Sequence, residues 1–241
     1  GTEKDILQAR SYFEKAALVG NSFAAYQLGK LYLGGEGILK DISEALRWFN
    51  IAAQQRNQFA EYALGCLYLK GEDVPKDVAK AISHLKGAAI NGNEFAEYRL
   101  GKIYLAGEDV LKNVEIALQY LAASAKQGNQ YAQYTLGKLY LMGKDIPRDK
   151  EEAVKWFTLS AAQGNIYAQF FLDHIDEFKE PSVMLAATRL LHHMSRIIGD
   201  TAPARIPPNQ RADRKLLQKI RAKKQAQGHK QDDHEQSMHT I

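Results

Sequence analysis

The sequence predicts an all-α protein: an α/α superhelical solenoid of about five 36-residue helix-pair repeats with a C-terminal capping helix. Three observations carry the prediction. The dipeptide Leu-Gly recurs as Leu28-Gly29, Leu64-Gly65, Leu100-Gly101 and Leu136-Gly137, always 36 residues apart, with a fifth copy degraded to Leu172-Asp173. Two further columns keep the same register without insertion: Ala24, Ala60, Ala96, Ala132 and Ala168, and Tyr26, Tyr62, Tyr98, Tyr134 and Phe170. Within each half-repeat, apolar residues fall three and four apart, the spacing of one helix face.

The first helix of each pair is predicted to open at Asp5, Asp41, Asp77, Asn113 and Asp149, whose side-chain oxygens can accept from free backbone N–H groups. Asp41 with Glu44, and Asp149 with Glu152, have the spacing of capping boxes. The helix ends near Gly20, Arg56, Gly92, Gly128 and Gly164, where a left-handed residue is cheapest as glycine, so Arg56 is the exception. Asn21, Asn57, Asn93, Asn129 and Asn165 follow directly and suit the cap of the second helix. Leu46, Phe49 and Ala53 mark the packing face of one first helix, and Ala60, Leu64 and Leu67 that of its partner. Loops such as 71–77 and 143–149 stop the second helix with glycine and proline, and Val74 and Ile146 are expected to anchor them.

Composition agrees with a packed protein, since 45% of the 241 residues are apolar and 25% are charged. No window is long and apolar enough for a membrane span, and the start lacks the layout of a secretory signal. With a single cysteine, Cys66, no internal disulfide can form, which fits a reducing, cytoplasmic setting. Residue 1 is Gly and the first helical pattern starts within five residues, so a processed or excised chain is expected. Charge is uneven: residues 201–241 hold 9 Lys/Arg against 4 Asp/Glu, a net of +5, while residues 1–200 carry a net of −1. A near-neutral body with a basic end suggests protein contacts on one surface and an anionic partner at the other.

The residues Ala60, Tyr62, Leu64, Gly65, Tyr68 and Gly71, followed by Lys76, Asp77 and Ala81, resemble the Sel1-like repeat, a relative of the tetratricopeptide repeat. The resemblance covers roughly residues 5–175. It implies an α/α superhelix whose concave face holds a protein or peptide, used as an adaptor without chemistry of its own. The stretch from Ser182 to His229 resembles the tails that follow such repeats in MobL-type plasmid mobilisation relaxases. That second resemblance implies an accessory region of a DNA-processing protein. The relaxase's metal-binding histidine spacing is not found at His192-His193 or elsewhere in the chain.

The chain therefore divides into a repeat region at 1–176, a capping segment at 177–198, a Pro-rich linker at 199–210 and a basic helix with a polar end at 211–241. Within the capping segment, Val183, Ala187, Leu190, Met194 and Ile197 line one side of an amphipathic helix at 182–198, as the end of an array requires. In the basic helix, Arg211, Arg214, Lys215, Lys219, Arg221, Lys223 and Lys224 are the candidate DNA contacts, acting on phosphates without reading bases. The alternative for this segment is a solvated tail whose charge serves solubility.

No catalytic constellation, metal site or cofactor is expected, and no small-molecule substrate. Gly34, Gly35 and Gly37 follow a helix rather than a strand and read as a turn, not a phosphate loop. Lys40, Lys76, Lys112 and Arg148 read as solvated loop charges in preference to a basic ridge. His84 shares a column with Tyr12, Trp48, Tyr120 and Trp156 and reads as a packing ring rather than a ligand. Cys66 replaces Lys30, Lys102 and Lys138 in its column, so partial exposure is expected, with no cationic neighbour to activate it. Partner contacts are expected where first-helix polar columns vary. Arg47, Ser83 and Gln119 stand in one such column, and Asn50 and Lys86 in another three residues on. These five are the candidate partner-binding residues.

Overall fold

The computed structural model describes residues 3–35 and 37–176. Among them stand ten α-helices and no strand: α1 Glu3–Leu18, α2 Ser22–Gly34, α3 Ile42–Gln54, α4 Gln58–Lys70, α5 Val78–Ile90, α6 Glu94–Ala106, α7 Val114–Lys126, α8 Gln130–Met142, α9 Lys150–Ala162 and α10 Ile166–Asp173. The predicted capping helix, linker and basic segment, including all seven candidate DNA contacts, lie outside the described residues.

Local chemistry accounts for the helix ends. Asp41, Asp77, Asn113 and Asp149 each hold extended backbone and accept from the N–H three residues on, the geometry of an N-cap. Asp5 departs from this, because α1 already begins at Glu3 and Asp5 sits inside its first turn. The capping boxes form only by half. Glu44 turns to Arg47 and Glu152 to Lys155, while the backbone N–H groups of Asp41 and Asp149 donate to the carbonyls of Tyr32 and Tyr140, each at 3.0 Å. The same bond recurs from Asp77 to Tyr68 and from Asn113 to Tyr104. Each loop is thus tied back to the helix it leaves, and the glutamate is not needed to satisfy the donor.

At the turn inside each pair, Gly92 has φ of 89°, its N–H donates to Ala89, and the N–H of Asn93 donates to Ala88, closing α5. Arg56 occupies the same place with φ of 58°, a conformation that its Cβ disfavours. Arg56→Gly is therefore expected to stabilise the protein by about 1 kcal/mol. A thermal melt with an unchanged or lowered midpoint would contradict that reading.

The described residues fall into two compact units, one ending at Leu136 and one beginning at Gly137. In the first, the most extensive helix contacts join the second helix of one repeat to the first helix of the next: α2 to α3, α4 to α5 and α6 to α7. These contacts depend on glycine. A Cβ added at Gly65 would lie 2.7 Å from Leu85 Cγ, and one at Gly101 would lie 2.6 Å from Leu121 Cγ. Buried Ala45, Phe49 and Ala52 form the centre of the α3 face, with Leu46 and Ala53 only half-buried beside them. The expected Leu46, Phe49 and Ala53 thus all pack, with Phe49 at the centre and the other two at its margin. On α4 the expected Ala60, Leu64 and Leu67 are all buried, and Val74 anchors its loop as predicted. In the second unit, Phe157 of α9 stacks on Phe171 of α10 at 5.2 Å, and Ile146 is half-buried.

Candidate partner-binding surface

The five candidate residues all stand exposed on first helices: Arg47 and Asn50 on α3, Ser83 and Lys86 on α5, and Gln119 on α7. Two are tied locally. Arg47 pairs with Glu44 at 3.2 Å and lies 5.1 Å over the Trp48 ring, and Asn50 donates to the Leu46 carbonyl at 2.8 Å. The side chains of Ser83, Lys86 and Gln119 have no polar partner among the described residues. They carry polarity that the fold itself does not use.

The aromatic column behind them is structural. His84 stacks on Tyr68 at 5.9 Å with planes 6° apart, and its Nδ1 meets Glu61 Oε2 at 2.6 Å. Tyr120 stacks on Tyr104 in the same way at 6.2 Å. His84 is thus the packing ring that the column predicted. Tyr12 has no preceding second helix among the described residues to stack on, and it is 69% exposed. Among the described residues, no group of three His, Cys, Asp or Glu side chains could hold a metal ion. No described helix is long and apolar enough to cross a membrane.

The loop lysines correct the sequence reading. Lys40 reaches Asp73 of the following loop at 2.5 Å, and Lys76 reaches Asp109 at 2.6 Å. Each cation is matched by the next repeat's carboxylate, so these lysines form neither a basic ridge nor free loop charges. Partly exposed pairs of this kind contribute little to stability individually, yet they bind each loop to its successor.

The second helices present an aromatic ribbon that the sequence reading did not single out. Tyr26 meets Phe59 at 5.8 Å, Tyr62 meets Phe95 at 6.4 Å, and Tyr98 meets Tyr131 at 6.1 Å, each pair spanning two repeats. Phe23, Phe59 and Phe95 remain 53%, 45% and 38% exposed. Their 36-residue spacing was visible, but spacing does not tell an exposed aromatic from a buried one.

Cys66 also differs from expectation. It is partly exposed, as its column predicts, but Arg99 of the next repeat faces both its thiol and the Tyr62 hydroxyl. Burial pushes the Cys66 thiol up, and Arg99 and Tyr62 offset only part of that. Burial, with the charge of Cys66, pushes Tyr62 up to about 12. Both groups hold their protons at neutral pH, so the cluster offers no activated nucleophile.

Comparison with known proteins accords with this architecture. The Sel1 repeat matches residues 1–21, 22–57, 58–93, 95–129 and 130–165. A comparison with curated proteins finds no match. Among solved structures, the chain is similar to a Sel1 repeat protein from Oxalobacter formigenes, at 31% identity and TM-score 0.65, over 89% of this chain and 79% of that one. It is also similar to c5321, a protective antigen present in uropathogenic Escherichia coli strains that displays an SLR fold. There the identity is 33% and the TM-score 0.63, over 66% of this chain and 34% of that one, so this chain spans about a third of the antigen's length. With all-α architecture, consecutive helix-pair packing and a repeat match over more than half its length, the chain belongs to the Sel1 repeat family, whose fold class is the α/α solenoid.

Proposed function

We propose that this protein is a non-catalytic interaction scaffold that holds a protein or peptide partner on its first-helix face, through Arg47, Asn50, Ser83, Lys86 and Gln119. Sel1 repeats are a fold typical of protein-interaction scaffolds and are generally non-catalytic. One observation carries the assignment of this face. Ser83 and Gln119, at one place on successive first helices, and Lys86, three residues beyond Ser83, are exposed polar groups without partners among the described residues, while neighbouring positions are spent on packing and capping. Such groups bind a partner without first breaking internal bonds. The proposed layout keeps 1–176 as the repeat region, 177–198 as its cap and 199–210 as a linker in a cytoplasmic protein.

A second reading follows from the charge of the tail. With net +5 over residues 201–241, the segment 211–241 is suited to contact DNA phosphates, as in an accessory region of a mobilisation relaxase. The first reading is tested by Arg47→Ala together with Lys86→Ala. The double variant is expected to weaken partner binding about tenfold or more with an unchanged melt, as loss of two exposed interface cations costs affinity rather than stability. Unaltered affinity would move the site off this face.

A further inference from the structure

We infer that the aromatic ribbon on α2, α4 and α6 docks a neutral, proline-rich peptide held in polyproline II conformation. The ribbon stands on the second helices, away from the first-helix face proposed above, and neither reading depends on the other. Phe23, Phe59 and Phe95 all belong to the first unit.

The ribbon is built from pairs of rings that lean open. Phe23 and Tyr26 lie 6.2 Å apart with planes at 47°, Tyr26 and Phe59 lie 5.8 Å apart at 35°, and Tyr62 and Phe95 lie 6.4 Å apart at 51°. The stack between a second helix and the next first helix, as in Tyr68 on His84, has planes only 6° apart and offers no such wedge. A cleft between tilted rings takes a flat, rigid, apolar group, and the pyrrolidine ring of proline is one. Polyproline II leaves its backbone carbonyls free to accept. Gln27, one turn on from Phe23, has a side-chain amide with no polar partner among the described residues and can donate to one of them.

Spacing selects the conformation of the ligand. Rings of successive second helices touch directly, and the axes of packed helices lie roughly 8–10 Å apart, so one cleft recurs at about that interval. A polyproline II helix advances roughly 9.3 Å in each three-residue turn, so a proline at every third residue meets successive clefts in register. A β-strand, with side chains of one face repeating about every 6.6 Å, falls out of step.

Area selects the size of the ligand and its order before binding. At roughly 150–250 Å² for a whole aromatic side chain, exposures of 53%, 45% and 38% for Phe23, Phe59 and Phe95 leave roughly 200–350 Å² of ring surface open. Two copies of the chain pairing through their ribbons would need about 800 Å² from each. A peptide that had first to fold into an α-helix would lose most of so small a gain to its own ordering, whereas a polyproline II segment is ordered in advance.

The test is a fluorescence-anisotropy titration of the full chain against a labelled peptide of four Ala-Pro-Pro triplets. A flexible peptide of four Ala-Ser-Gly triplets and an equally long helix-forming peptide of leucine, alanine and glutamine are titrated alongside. The proline peptide is expected to bind saturably, one to a chain, and about tenfold or more tightly than either. Phe59→Gln is expected to lower its affinity about tenfold, as loss of an aromatic anchor does. Phe23→Gln, at the more exposed ring, is read in its place if Phe59→Gln also lowers the melt. Arg47→Ala/Lys86→Ala is expected to bind the peptide as the native chain does; loss of binding there would put the peptide on the first helices and overturn the inference. Equal or tighter binding of either control peptide, native affinity in both phenylalanine variants, or self-association of the chain that Phe59→Gln abolishes would each overturn it as well.

Discussion

Phe49→Ala is expected to destabilise the protein by about 3–5 kcal/mol, as truncation of a large buried aromatic does when its surroundings cannot collapse. Phe49 is fully buried, sits 6.0 Å from Tyr26, and fills the space left by Gly29, where an added Cβ would stand 2.5 Å from its ring. The flanking Ala45 and Ala52, buried on the same face, carry only methyl groups and cannot fill that space. The loss should appear as a large fall in the thermal midpoint together with a lower urea midpoint. A fall of less than about 1 kcal/mol would mean that α2 and α3 are not joined through this ring.

Gly101→Leu should cost about 1–3 kcal/mol through overpacking. An added Cβ would lie 2.6 Å from Leu121 Cγ and 3.2 Å from the carbonyl of Ala117, so the obstruction includes backbone and not only a side chain that can turn away. Leucine places three further carbons in the same contact. Gly92→Ala provides the contrast. There nothing lies within 4 Å, but φ is +89°, so its cost of about 1 kcal/mol comes from the backbone alone. A paired Leu121→Ala should rescue much of Gly101→Leu and none of Gly92→Ala, as expected of contacting and independent sites respectively. Equal melts for native protein and Gly101→Leu would refute the register.

Most of this architecture was readable because it is local and repeated. Caps such as Asp41 and Asn57 act on N–H groups two or three residues away, so residue type and position are enough to place them. On α3 Phe49 was placed correctly, but Ala45 and Ala52 rather than Leu46 and Ala53 stand beside it at the centre, because apolar type does not tell which flank a neighbouring helix meets most closely. Two features needed the distance between repeats. Lys76 and Asp109 are 33 residues apart, and so are Cys66 and Arg99, three short of a full repeat. Columns aligned at 36 residues cannot show a partner that reaches across to the next repeat. The aromatic ribbon went unnoticed for another reason. Phe59 and Leu64 are both apolar and both periodic, yet one is 45% exposed and the other is fully buried. Its exposure depends on where the neighbouring helix lies, which hydropathy does not encode.

The Lys–Asp links and cross-repeat aromatic contacts also show how successive repeats of the first unit are tied together. Tyr26, Tyr62 and Tyr98 each meet an aromatic ring of the next second helix, and Asp73 and Asp109 each pair with the lysine of the preceding loop. Such ties would hold the proposed face on α3, α5 and α7 at a fixed interval and so lower the ordering cost of binding.

The central claim is that the repeats, not the basic tail, carry the principal partner. The direct measurement is affinity capture from the parent organism's lysate with the full chain and with a chain ending at residue 198, each with and without nuclease. The scaffold account predicts one nuclease-resistant protein partner recovered by both chains, and reduced recovery with Arg47→Ala/Lys86→Ala. Capture that requires residues 199–241 and disappears on nuclease treatment would contradict it and make DNA contact by the tail the leading function.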